Sequence, residues 1–225
     1  MSAGIALLLG LSLVAAPEAP AAVELPAARV AGGMALDQAL AKRRSVRQLS
    51  PEASLTQAQL AQLCWAAQGV VDAKGHRTAP SARATYPLEL LVLVSRVDGV
   101  APGLYRYLPE GHRLESRAAG DLRDRLVDEA IGQRWIKDAP AVFALVWEPA
   151  RSESLGARAE RLAMIEVGLA AENLLLEVTS LGLGATFVGG FEPDKTRQVL
   201  GLAEGAQPAA ILPVGKPVSS KPASP

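Results

Sequence analysis

Ala157 to Leu181 reads as one long helix, and its apolar residues run almost all the way round it. Leu162, Met164, Ile165, Val167, Leu169, Leu174, Leu175, Leu176 and Val178 leave only a thin polar stripe. Such a helix has no broad face to give to water, so it must be covered on all sides. In a chain of 225 residues the cover comes either from a central place in one domain or in part from a second copy. Both arrangements are open from the pattern alone.

The rest of the chain alternates between the two periodicities. Ala35–Arg44, with Leu36 and Leu40 as its apolar side, and Thr56–Gln68, opened by Ser54 and Thr56, read as helices. Leu88–Ser95 and Ala141–Trp147 are short and almost continuously apolar, which marks buried strands. Gly103–Leu108 and His112–Ser116 flank Pro109-Glu110-Gly111 and form a hairpin. Asp121–Ile131 is helical, Gly184–Val188 a strand, Pro193–Leu200 a short helix and Ala209–Val214 a last strand.

Charge and composition exclude several classes. Basic and acidic residues balance at 23 each, so nothing draws the chain to nucleic acid or an anionic membrane. Aromatics make up 4%, too few for base-stacking platforms. Cys64 is the only cysteine and sits in an apolar segment beside Trp65, where it fills core. His76 and His112 are the only histidines, and neither has a ligand-type neighbour at metal-site spacing, so no metal is expected. There is no G-x-S-x-G elbow. Gly182-Leu183-Gly184 lacks the third glycine of a dinucleotide fingerprint, having Phe187 there, and lies between helix and strand in the wrong order.

The N-terminus carries a separate signal. Ile5–Ala16 is a twelve-residue apolar run, too short to span a bilayer as a helix, and Val14-Ala15-Ala16 offers small residues for cleavage. Residues 1–22 therefore read as a signal peptide or anchor, which places the protein outside the cytoplasm, in a periplasm or on a membrane; a cytoplasmic extension is the alternative. Residues 23–33 read as a linker, 34–217 as the folded domain and 218–225 as a flexible tail.

Three motifs carry chemistry. Lys42-Arg43-Arg44-Ser45-Val46-Arg47 ends a helix and offers guanidiniums with a hydroxyl between them, a set suited to gripping phosphate oxygens. Arg77-Thr78-Ala79-Pro80-Ser81-Ala82-Arg83-Ala84-Thr85-Tyr86-Pro87-Leu88-Glu89 leads from a loop into a strand. Val188-Gly189-Gly190-Phe191 follows a strand with two residues that lack side chains. Each has a bland reading: basic residues complement a helix C-terminus, and paired glycines often mark a simple loop.

Taken in order from about Gly32 to Lys216, these motifs resemble the FMN-dependent nitroreductase family, in particular its branch related to azoline dehydrogenases. Further markers are Leu63–Gly69, Gly103-Leu104-Tyr105-Arg106-Tyr107, Gln133–Pro140, the Glu166…Glu172-Asn173 helix and Leu212-Pro213-Val214-Gly215. The resemblance implies an α+β three-layer sandwich with a mainly antiparallel central sheet flanked by helices, and a homodimer with flavin at its interface. It implies FMN as cofactor and NAD(P)H as co-substrate, reducing a small electrophilic acceptor by two-electron ping-pong transfer. Arg43, Arg44 and Ser45 would serve the phosphate and ribityl end, with Lys216 closing on it, and Arg47 the N1–C2 carbonyl edge. Pro80, Ser81 and Ala82 would line the ring, and Gly189 and Gly190 would bring backbone N–H groups to N5 and O4. Flavin supplies the electrons, so no catalytic side chain is required. Arg83 stands where relatives have glycine and is a candidate for substrate binding. The alternative is a flavin-fold binding protein without turnover.

Overall fold

A computed structural model describes residues 22–218. The signal-peptide or anchor reading of residues 1–22 lies, but for Ala22, outside the described residues, as does the tail after Val218. Seven strands form one sheet in the order β1-β4-β3-β2-β5-β7-β6, and every named pair is antiparallel. They are β1 (Val23–Glu24), β2 (Leu88–Val94), β3 (Gly103–Leu108), β4 (Arg113–Ala119), β5 (Ala141–Trp147), β6 (Gly184–Ala185) and β7 (Gln207–Gly215). The helices are α1 (Leu36–Lys42), α2 (Gln57–Gln68), α3 (Arg123–Arg125), α4 (Ala159–Ser180) and α5 (Pro193–Val199).

The central strands read as unbroken apolar runs because both faces are covered. Leu90 and Val92 of β2, Phe143 and Leu145 of β5 and Leu212 of β7 pack with α2 and α4. Leu91, Leu93, Val142, Ala144, Val146 and Ile211 face the other way, onto Leu126, Val127, Ile136 and Val199. Strand geometry sends alternate side chains to opposite faces, so one sheet serves two cores. This is the three-layer α+β sandwich expected. Cys64 is fully buried and burial pushes its thiol far above the ordinary range, as suits a core filler.

Several elements differ from their sequence reading. The Asp121–Ile131 helix becomes one α turn that widens into a π-helical turn over Leu126–Ile131, closed by Gly132 at φ +73°. Strand β6 is only Gly184–Ala185; Thr186 leaves it to donate its hydroxyl to Val46 O (2.8 Å), and Val188 pairs in isolation with Ile211. In α1 only Ala39 is buried, while Leu36 and Leu40 face outward.

The stretch read as a linker is fixed to the domain at intervals. Val23 and Glu24 pair with β4, Arg29 exchanges hydrogen bonds between its backbone and the Gln62 amide (2.8 and 3.1 Å), and Met34 N–H donates to Ser180 Oγ. His112 joins in: its Nε2 lies 3.0 Å from Pro26 O and its Nδ1 2.8 Å from Tyr107 OH. A carbonyl only accepts, so Nε2 carries the proton and neutral Nδ1 accepts from the phenol. Burial lowers the His112 pKa below its ordinary 6.5. The folded state thus binds its proton less readily than the unfolded chain. The His112 contribution is present above pH 6.5 and is lost as pH falls through the lower folded-state value. A melt at pH 7.5 and 5.0 should show a smaller acid loss for His112→Gln than for the parent; equal losses would mean the arm does not sense this proton.

Candidate functional site

The basic run emerges from α1 as extended chain and is stitched into the sheet edge. Ser45 makes a parallel bridge with Ala185 of β6, and Val46 N–H donates to Ala185 O (2.8 Å). Beyond the run, Ser50 N–H donates to Lys216 O (2.9 Å), Leu49 pairs with Pro217, and Val218 N–H donates to Gln48 O. Arg43, Ser45, Arg47 and Lys216 therefore gather at one end of the sheet, where the last three are exposed. Arg44 and Val46, with Lys42, line a cavity of about 360 Å³ against Leu175 and Val178 of α4. Arg44 also donates to Arg43 O (2.7 Å).

Gly189 and Gly190 follow β6 and are exposed. A methyl at Gly189 would come no closer than 3.4 Å, to Phe187, and one at Gly190 would meet nothing within 4 Å. The protein's own packing does not demand glycine there; the bare backbone faces open space. Phe191 and Glu192, with Asp128 and Glu129 of the π turn, border a neighbouring cavity of about 520 Å³.

The Pro80–Ala82 loop sits on α4. Ala82 N–H donates to Glu166 Oε1 (2.8 Å), a carboxylate only 5% exposed on an otherwise apolar helix face. Asn173 Nδ2 donates to Thr78 O (3.0 Å), and Tyr86 N–H donates to Ser81 Oγ (2.9 Å). Sequence reasoning marked Glu166 and Asn173 without giving them this holding role; the signal was a polar residue on a helix that is apolar elsewhere. Glu172, one residue before Asn173, reaches Arg43 Nε at 3.5 Å. Glu166 and Glu172 are six residues apart, roughly 9 Å along the axis and about a third of a turn around it. Within one protomer the ring-lining loop and the phosphate run therefore meet different faces of α4.

Between those faces runs an uncovered apolar stripe. Ile165 is 49% exposed and Leu169 41%, and Met164, 39% exposed, stands beyond the Glu172 side of the helix. The helix read as needing cover on all sides is open here, and Leu36 and Leu40 of neighbouring α1 add to the exposed apolar surface. Large apolar patches of this kind mark interaction surfaces.

The loop itself is strained. Arg83 (φ +54°), Ala84 (+54°) and Tyr86 (+43°) all adopt left-handed backbone that L residues disfavour. Arg83 occupies the position where the resemblance calls for glycine, and its conformation supplies the reason for that glycine. Arg83→Gly should raise stability by about 1 kcal/mol, moving Tm up by about 2–4 °C. A melting curve that fell instead would show the arginine side chain stabilising the loop by more than its backbone costs.

An antiparallel α+β sandwich with the basic run docked at the end of its sheet is the architecture of the nitroreductase fold. A nitroreductase structure from Ralstonia eutropha superposes with a TM-score of 0.77 at 29% identity, covering 95% of this chain and 98% of its own. The chain belongs to the nitroreductase family, whose model matches residues 40–216. It is an oxidoreductase of that family. A Methanocaldococcus jannaschii protein named as a nitroreductase is 39% identical over 184 residues, 81% of this chain and 91% of its own length. The Escherichia coli microcin synthetase complex, solved with truncated pro-microcin B17 bound, shares the fold, with a TM-score of 0.70 at 19% identity over 86% of this chain and 77% of that one.

Proposed function

We propose that this chain is an FMN-dependent oxidoreductase that works as a homodimer. The observation that carries the reading is the assembly of Arg43, Ser45, Arg47 and Lys216 at one sheet end, beside the β6 segment that leads to Gly189-Gly190. The residues present fit FMN. Guanidiniums, a hydroxyl and an ammonium suit a phosphate and ribityl chain, and glycines with open space above them suit close approach of a flat ring.

FMN, when bound, supplies two-electron ping-pong transfer from NAD(P)H to a small electrophilic acceptor. The chain supplies grip, position and charge. Arg43, Ser45 and Lys216 hold the phosphate end, and the charge of Arg47 stabilises negative charge at the pyrimidine edge. Gly189 and Gly190 offer backbone N–H groups. Glu166 and Asn173 fix the Pro80–Ala82 loop that lines the ring. Arg83, exposed at the tip of that loop, meets an acidic group on the acceptor or on the nicotinamide cofactor. Because the loop and the phosphate run lie on different faces of α4, the complete site takes its loop from one protomer and its basic run from the other. The apolar stripe on α4 is the surface that brings them together.

The full chain purified under native conditions should be yellow, or become so on adding FMN, and should bleach anaerobically with NADPH or NADH. Colourless protein that ignores FMN would replace this reading with a non-catalytic member of the fold. The Arg43–Glu172 ion pair favours that second reading, since it occupies the guanidinium. The export reading of residues 1–22 is likewise a proposal, tested by locating the full-length protein after cell fractionation.

A further inference from the structure

Phe187 is a large apolar side chain that neither core takes up. It is 44% exposed, while Thr186 before it and Val188 after it are buried. Thr186 Oγ1 donates to Val46 O (2.8 Å), and Val188 exchanges backbone hydrogen bonds with Ile211 (2.8 and 3.0 Å). Both neighbours are turned inward and held, and the side chain between them is turned out. Single exposed apolar residues are common and by themselves mean nothing. Phe187 is set apart by what stands beside it.

A Cβ on Gly189 would lie 3.4 Å from Phe187 Cε1, so the edge of the phenyl ring reaches along the bare Gly189 backbone. The parallel bridge of Ser45 with Ala185, carried two residues on, sets Arg47 alongside Phe187, and Arg47 is also exposed. One short stretch of surface thus joins an aromatic ring, a guanidinium and the glycine pair. The guanidinium and the backbone N–H groups suit the polar edge of a flat heterocycle and leave its faces unserved. A phenyl ring serves a face, since aromatic pairs in offset or edge-on contact gain more than the area they bury. We propose that Phe187 is the aromatic surface against which the isoalloxazine ring of FMN packs. This rests on the flavin reading above and adds to it the part of the grip that owes nothing to phosphate.

The test uses the full chain with flavin removed by dialysis, titrated with FMN and with riboflavin. Phe187→Ala should weaken both ligands by the same factor, about five- to a hundredfold, the range seen when an aromatic platform beneath a nucleic-acid base is truncated. Phe187→Tyr keeps the ring and should restore both affinities. Phe187→Trp should shorten the emission lifetime of bound FMN, because indole passes an electron to excited flavin only at contact and recovers it as the pair returns to its ground state. The ring packs into neither core, so the flavin-free variants should melt with the parent. A parent that binds no flavin ends the flavin reading and this inference with it. A parent that binds FMN while Phe187→Ala binds it equally well, or loses FMN but not riboflavin, overturns the packing role alone, as does an unchanged lifetime in Phe187→Trp. Flavin-free Phe187→Ala that melts lower or sediments as a monomer would make the ring a core or subunit contact instead, and would likewise overturn it.

Discussion

Arg43→Ala should weaken FMN binding by about ten- to a hundredfold or more. It removes a charge-assisted interaction with phosphate, typically about 1.5–3 kcal/mol, and each tenfold in affinity is about 1.4 kcal/mol. Riboflavin has no phosphate, so it should bind weakly to the parent and hardly notice the change. The fold should also be indifferent. The Arg43 guanidinium meets the protein through a solvent-facing ion pair to Glu172 at 3.5 Å, and such pairs contribute little. Arg47→Ala should act differently, lowering the reduction potential of bound flavin by removing positive charge from the edge where negative charge collects. Titrating FMN and riboflavin against both variants decides the matter. Equal weakening of the two ligands by Arg43→Ala, or no effect on either, would return the run to a solvated helix end.

The double variant Ile165→Arg, Leu169→Arg should convert the dimer to monomers and empty the flavin site together. Both side chains are exposed in the protomer, 49% and 41%, so the charges cost the isolated fold little. At a closed interface each becomes a buried, unpaired charge whose penalty is several kcal/mol. The dimer dissociation constant should therefore rise by about a thousandfold or more. Sedimentation velocity with absorbance at the protein and flavin bands follows both quantities in one run. A variant that still sediments as a yellow dimer would move the interface off this stripe, and a parent monomer that holds FMN tightly would remove the shared site altogether.

What could be read from residues was what local chemistry decides. Leu88–Val94 and Ala141–Trp147 are apolar on both sides because both sides are covered, and that is visible without a structure. Thr56 announced α2 through a capping box with Gln59, only three residues along the chain. The motif order named the family because each marker needs its own residue types. The misses lie where distant partners decide. Val23–Glu24 is a strand only because β4 presents an edge to it. Gly184–Val188 is cut short because Thr186 prefers Val46, and no window around either residue contains the other. Leu36 and Leu40 look like a buried face, yet Ala39 takes the core position. Arg44 reads as one member of a basic run, and the structure sets it with Lys42 and Val46 against Leu175 and Val178 of α4. For Arg83 the pattern showed an oddity, and the left-handed backbone gives its reason.

The docking of the basic run onto β6 has a consequence for how the protein comes to exist. Val46 and Thr186 are 140 residues apart, and Leu49 meets Pro217 near the far end of the domain. Contacts of such long sequence separation form late, after the loop-closure entropy has been overcome by nearer pairings. A nascent chain released to residue 180 already has α2, α4 and five of the seven strands, yet lacks Ala185, Thr186 and Pro217, the backbone onto which the basic run docks. On the flavin reading proposed above, the grip on phosphate is thus a property of the finished molecule alone. Yellow colour in the purified protein would then certify that both ends of the domain have met.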